Sequence, residues 1–148
     1  MTGEHILKAA RDWLGTPYLH QGSTRGAGCD CLGLLRGVWR EVLGAEPEIA
    51  PPYSSDWDEV GTRDVLRAAA ARHLSEIDAD TANPGDVLLF RMRRGSVAKH
   101  LGLLSATGDA PRFIHAYSGH GVVESSLSLP WRRRIEGVFA WPDSDVTS

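Results

Sequence analysis

The apolar periodicity of this chain changes character once, at Asn83-Pro84-Gly85-Asp86, and that change limits the folds open to it. Before it, apolar residues recur at helical spacing: Ile6, Leu7, Ala10, Trp13 and Leu14 in one segment, and Leu34, Leu35, Val38, Trp39 and Val42 in another. The first helix ends near Gly15, with Pro17 beyond it. The second, from Cys31 to Leu43, has Gly44 as a natural C-terminal cap. An Asp-x-x-Glu arrangement at Asp56 and Glu59 opens an Ala/Arg/Leu-rich third helix that runs to about Leu74. After the Asn-Pro-Gly-Asp turn, Val87-Leu-Leu-Phe90 is a buried-strand signal. Short strand segments follow near 97–105, 112–117, 121–125 and 134–141, punctuated by Gly108-Asp109 and Gly119-His120-Gly121. Helices first and strands after predict an α+β fold, with an antiparallel meander as the simplest sheet.

A length of 148 residues predicts a single domain with its own core. Sixteen basic against nineteen acidic residues leave a net charge of −3, so no nucleic-acid partner is expected, since that would favour a strongly basic chain or face. No apolar run approaches the ~20 residues of a membrane helix, so no membrane insertion is expected. The first fourteen residues carry charges throughout and lack the apolar centre of a signal peptide; synthesis in the cytoplasm, with delivery by other means, is the expectation. Residues 45–55, with Pro47, Pro51 and Pro52, read as an irregular connection, and residues 143–148 as a frayed tail.

The only cysteines are Cys29 and Cys31, with Asp30 between them. Two are too few for a disulfide framework, and a bond across one residue would be strained, so a free thiol is expected. Cys31 stands where a Gly-rich loop meets a helix. Unpaired N–H groups and the helix dipole there favour a thiolate and lower the thiol pKa, which suits a nucleophile. Two residues on, at Gly33, a side chain would crowd a neighbouring backbone or a ligand. A cysteine nucleophile needs a base, and the base an orienting group. Of six histidines, His100 and His115 lie on consecutive strand segments, 15 residues apart with Gly108-Asp109 between them. That spacing puts two imidazoles side by side on neighbouring antiparallel strands. Taken singly, each residue also has a structural reading: a small buried hydrophobe for Cys31, an ordinary core or surface residue for each histidine. A zinc site built from both cysteines and the histidine pair is a further alternative, although zinc-binding cysteines are usually spaced by two to four residues.

Together these residues resemble a family. Gly28-Cys-Asp30-Cys31-Leu-Gly33 is similar to the Asp-Cys-x-Gly nucleophile motif of NlpC/P60 cysteine peptidases. Asn-Pro-Gly-Asp86-Val-Leu-Leu-Phe is similar to that family's Pro-Gly-Asp strand start, and Lys99-His100-Leu-Gly102 to its His-x-Gly strand. Phe-Ile-His115-Ala, followed by Gly121-Val-Val-Glu, resembles its third catalytic position and the next strand, and Gly15-Thr-Pro17-Tyr18 its tyrosine element. Five motifs in the right order span residues 15 to about 125.

The resemblance implies a papain-like fold, with N-terminal helices that carry the cysteine packed on a small antiparallel sheet that carries the histidines. It implies Cys31 as nucleophile, His100 as general base and then acid, and His115 as the orienting residue. Tyr18 and the Cys31 N–H would hold the oxyanion, Asp30 would meet the free amine of the substrate, and no metal or cofactor is implied. The implied substrate is a peptidoglycan stem peptide, cut between γ-linked D-Glu and a diamino acid. Leu32 departs from the serine common after the nucleophile. Residues 45–80 exceed a minimal link between nucleophile helix and sheet, and read as an insertion, cap or docking surface within one domain, 1–148. The stretches from Arg91 to His100 and from Tyr117 to Ser126, with Trp131-Arg-Arg-Arg, resemble the phage-tail and gene-transfer-agent branch of the family. That branch implies carriage in a virion-like tail, action at the cell wall, and a tail hub or baseplate protein as partner. A structural tail-tip module of the same fold is the alternative. Arg91, Arg93, Arg94, Arg132, Arg133 and Arg134 read as a solvated basic face, and Trp57 and Trp131 as candidates for exposure at an interface.

Overall fold

The computed structural model describes residues 2–47, 65–91 and 98–142. Helices α1 (Thr2–Asp12) and α2 (Cys31–Val42) frame a short hairpin, β1 (Ser23–Thr24) and β2 (Gly28–Cys29). Helix α3 (Val65–His73) and strand β3 (Ser75–Ile77) lead into the Asn-Pro-Gly-Asp turn. Strands β4 (Val87–Arg91), β5 (Ala98–Ala106), β6 (Arg112–Tyr117) and β7 (Gly121–Ser126) follow, then helix α4 (Leu129–Arg132) and β8 (Ile135–Ala140). The five strands expected from the sequence form within about one residue of their expected limits. The start of the third helix at Asp56 and Glu59, Trp57, Arg93, Arg94, most of the proline-rich connection and the tail lie outside the described residues.

All neighbours in the six-stranded sheet are antiparallel, in the order β3-β8-β4-β5-β6-β7. The meander expectation holds for β4 to β7 only. The last strand does not extend it: β8 crosses back to pair with β4 on its free side, and β3 pairs beyond it. The end of the 45–80 segment therefore supplies the edge strand of the main sheet.

This placement explains the unbroken apolar run of β4, because a central strand is covered on both faces. Val87 and Leu89 point to one side, with Leu101, Leu103, Ile114 and Phe139, and meet Ile6 and Ala10 of α1, Trp13 just past its end, and Leu34 and Val38 of α2. Leu88 and Phe90 point to the other, with Leu104, Phe113, Leu127 and Val138, and are partly covered by Trp131 and Ile135. The strand period of two thus divides the core into a helix-side layer and a second layer roofed by the segment around α4. Ahead of β4, the turn closes on itself: Asp86 N–H donates to Asn83 O, and Asn83 N–H to the Asp86 carboxylate (3.0 and 2.7 Å).

Candidate active site

Helix α2 begins at Cys31 because Asp30 caps it. Asp30 is extended at φ −103° and ψ −170°, and its Oδ1 accepts the Gly33 N–H at 2.8 Å. Its Oδ2 accepts the Gln21 N–H at 2.7 Å and lies 3.8 Å from His20 Nδ1. Both carboxylate oxygens of this residue, only 3% exposed, therefore tie the helix start to the preceding loop. The same loop positions Tyr18, which forms a parallel bridge with Cys29. Around that bridge Leu19 N–H donates to Cys29 O and Cys29 N–H to Pro17 O, both at 3.0 Å. Tyr18 is 36% exposed beside the cysteines. Burial, then the nearby charges of Cys31, Asp30 and Cys29, push its hydroxyl up to about 12, so it keeps its proton and can donate.

Cys31 is 7% exposed and Cys29 is fully buried; both thiols are free. The sequence alone suggests a thiol pKa lowered by the helix terminus, and the structure reverses that. Burial, then the Asp30 carboxylate, push Cys31 up to about 12, against the opposing pull of N–H groups from Leu101, Leu32 and Cys31 itself. Desolvation of the thiolate outweighs the helix end. The Leu101 N–H contact also places the sulfur beside the strand residue that follows His100.

His100 on β5 and His115 on β6 meet edge to face, with His100 Nε2 2.8 Å from His115 Nδ1 and the rings at 77°. Gly102 makes room for this: a Cβ there would stand 2.9 Å from the Phe113 ring and 3.3 Å from His115 Cβ. The glycine of the His-x-Gly strand thus leaves room for the Phe113 ring and the base of the His115 side chain. His115 Nε2 lies 3.0 Å from Ser125 Oγ on β7. The pair sits in an aromatic box: Phe90 against His100, Phe113 and Tyr117 against His115, and the Trp131 ring 5.7 and 5.2 Å from the two imidazoles. His120 stacks on Tyr117 from outside, at 5.2 Å and 8°. Burial, then the neighbouring His115, drive His100 down to about 3; burial, then His120, drive His115 down to about 4. At neutral pH the site therefore holds a neutral thiol and two neutral imidazoles.

The structure brings Cys31, Asp30 and Tyr18 together around the start of α2, and His100 and His115 together on the sheet. It joins the two groups through the Leu101 N–H. Among the described residues no hydrogen bond runs directly from Cys31 Sγ to an imidazole. A nucleophile–base contact of this kind often tightens only when substrate binds. Sequence reasoning missed Ser125 and misplaced Trp131. The indole is not an exposed interface residue but half-buried roofing over the histidines, held by a one-turn helix with Pro130 in its first turn. Arg91 is likewise not a free member of a basic face, being ion-paired with Glu136. Among the described residues no group of three or more His, Cys, Asp or Glu is arranged to hold a metal ion.

These titrations predict a stability profile. Unfolded, each histidine binds a proton below its ordinary 6.5, while the folded pair stays neutral down to about 3 and 4. The unfolded state thus holds more protons in that window, and stability rises with pH up to about 6.5. The two thiols lie at about 12 against an ordinary 9.0, so their contribution is present below 9.0 and is lost as pH climbs towards 12. Calorimetry across pH should give a plateau in melting temperature between about 6.5 and 9 and a fall on both sides. A higher melting temperature at pH 5 than at pH 7.5 would contradict the buried neutral pair.

The sequence model of the NlpC/P60 family matches residues 15–139. The chain is 29% identical over 130 residues to the murein DD-endopeptidase MepS/murein LD-carboxypeptidase of Escherichia coli, a match covering 87% of this chain and 57% of that protein. It is 29% identical over 136 residues to the gamma-DL-glutamyl hydrolase of Bacillus subtilis, covering 90% of this chain and 28% of that protein. The chain therefore spans little more than half of the first relative and about a quarter of the second. Among solved structures, the NlpC/p60 domain of the peptidoglycan hydrolase SagA superposes with a TM-score of 0.64 at 24% identity, covering 93% of this chain and 97% of that one.

Proposed function

This chain belongs to the NlpC/P60 family, and on that premise we propose that it is a cysteine endopeptidase hydrolysing peptidoglycan stem peptides. The observation that carries the reading is the order of groups at the site. A thiol at a capped helix start rests on the N–H of Leu101, and the neighbouring His100 has Nε2 taken by His115, which leaves Nδ1 as its other basic atom. The names of the relatives, a murein endopeptidase and a gamma-DL-glutamyl hydrolase, support a wall-peptide substrate.

In this reading His100 Nδ1 takes the thiol proton as Cys31 Sγ attacks the scissile carbonyl carbon. The resting thiol is neutral, so deprotonation accompanies attack and is not completed beforehand. The Tyr18 hydroxyl and the Cys31 N–H stabilise the oxyanion. The C–N bond then breaks, and the leaving amine takes the proton from His100. Water, deprotonated by the same nitrogen, attacks the thioester carbonyl and releases the acid and the thiol. The bond between γ-D-Glu and the diamino acid is the proposed cut. Leu32, where a serine is common, removes a hydroxyl beside the nucleophile, its side chain packing against the core instead, and this bears on which diamino acid is preferred.

The proposed setting is a phage-like or gene-transfer-agent tail that carries the enzyme to the cell wall on a hub or baseplate protein. Its support is the likeness of residues 91–100 and 117–126 to that branch. Mass spectrometry of purified sacculi digested with the protein tests the activity and reads the bond. The expected result is stem-peptide fragments with a new diamino-acid amine. No fragments from well-folded protein would overturn the reading in favour of a structural module of the same fold.

A further inference from the structure

Two hydrogen-bond contacts follow one another away from the nucleophile: His100 Nε2 to His115 Nδ1 at 2.8 Å, then His115 Nε2 to Ser125 Oγ at 3.0 Å. Ser125 is half-buried on β7, directly across from Phe113, and shares the sheet face of both imidazoles. Each neutral ring carries one proton, so the row can be written in two directions only. In one, His100 Nε2–H donates to His115 Nδ1, and His115 Nε2–H donates to the serine oxygen. His100 Nδ1 is then bare. In the other, the serine hydroxyl donates to His115 Nε2, His115 Nδ1–H donates to His100 Nε2, and His100 Nδ1 carries the proton.

The two directions differ at the nucleophile. Cys31 Sγ, a weak acceptor, already faces N–H groups of Leu101, Leu32 and its own backbone. A fourth N–H from His100 has nothing to gain there, whereas a bare Nδ1 can receive the thiol proton. The first direction also survives that transfer unchanged, because the resulting imidazolium still donates from Nε2 to a bare His115 Nδ1. It requires an acceptor at His115 Nε2, and Ser125 Oγ stands at that atom.

We infer that Ser125 is a positioning residue: its oxygen accepts the His115 Nε2–H and thereby fixes both imidazoles in the tautomer that leaves His100 Nδ1 free for the thiol. Its use in turnover rests on the peptidase reading above, but the tautomer does not. Removing the hydroxyl orphans a ring N–H in a largely buried place, which is costlier than an unpaired ring nitrogen, and so favours the reversed, unproductive row.

Long-range proton–nitrogen correlation of the ¹⁵N-labelled protein at neutral pH reads each ring directly. The expected wild-type spectrum shows His100 and His115 both protonated at Nε2. In Ser125→Ala, His115 should move towards protonation at Nδ1. Stem-peptide cleavage should lose about tenfold in kcat, the worth of one hydrogen bond, with KM within about twofold. Ser125→Thr, which keeps the hydroxyl, should keep the wild-type tautomer and rate. A wild-type His115 protonated at Nδ1 would overturn the inference, as would a Ser125→Ala spectrum that keeps both tautomers. An inactive wild type with the expected tautomers and the expected response to Ser125→Ala would support the tautomer assignment and count only against the peptidase reading.

Discussion

Cys31→Ala is expected to remove stem-peptide cleavage altogether, a loss of about 10⁴-fold or more in kcat, because the thiol that forms the acyl intermediate in the proposed reaction is gone. Cys29 cannot substitute. It is fully buried in β2, paired with Ser23, and its thiol is pushed up to about 12 by burial. Cys31→Ser should be nearly as inactive, since a hydroxyl is harder to deprotonate than a thiol and His100, held neutral down to about 3, is a weak base. Substrate affinity should be kept in both variants, because the cap at Asp30 and the placement of Tyr18 do not depend on the sulfur. Removing one buried sulfur costs on the order of 1–2 kcal/mol of stability, which a chain with two core layers tolerates. The measurement is turnover of purified muropeptides beside binding of the same peptide to the alanine variant. Turnover within tenfold of wild type would remove Cys31 from the nucleophile position.

The sequence made this residue legible for a local reason. A cysteine at the junction of a Gly-rich loop and an amphipathic helix is a pattern of neighbours in the chain. The histidine pair was legible because strand alternation and a Gly-Asp turn fix which residues on adjacent strands share a face. What was hidden depends on partners distant in sequence. The return of β8 to the free side of β4 brings Val138 and Phe139 against Leu88 and Val87, and nothing within either strand announces it. The thiol pKa is set by how completely α1, α2 and the sheet close over Cys31, which outweighs the dipole visible in the local sequence. Trp131 reads as a loop residue because α4 is a single turn with a proline as its second residue, yet its ring reaches Phe90, Phe113 and both imidazoles. Ser125 carries no signal, since its role exists only across the β6–β7 pairing.

Gly33→Ala is expected to be the most damaging single methyl in the described part of the chain. In an exposed helix the exchange would gain about 1 kcal/mol from helix propensity. Here a Cβ would stand 1.7 Å from Gly22 O and 3.1 Å from Asp30 Oδ1. Neither can retreat cheaply. Gly22 O accepts the Asp30 N–H, Gly22 N–H donates to Leu19 O, and Asp30 Oδ1 accepts the Gly33 N–H. Ser23 Oγ also donates to Gly33 O at 2.7 Å, so helix and loop are tied on both sides of the clash. Relief requires the loop to lift off the helix, breaking several of these bonds at about 1 kcal/mol each. The net cost is about 3 kcal/mol after the propensity gain, a fall of roughly 10 °C in melting temperature for a chain of this size. The same movement would carry Tyr18 away from Cys31, since Leu19 and Cys29 hold both to that loop. Whatever protein remains folded should therefore lose kcat more than it loses affinity. Calorimetry with peptide cleavage below the melting temperature reads both effects. A melting temperature within about 2 °C of wild type would show that the loop yields freely, and the close backbone approach at the helix start would then not be what holds Tyr18 beside the nucleophile.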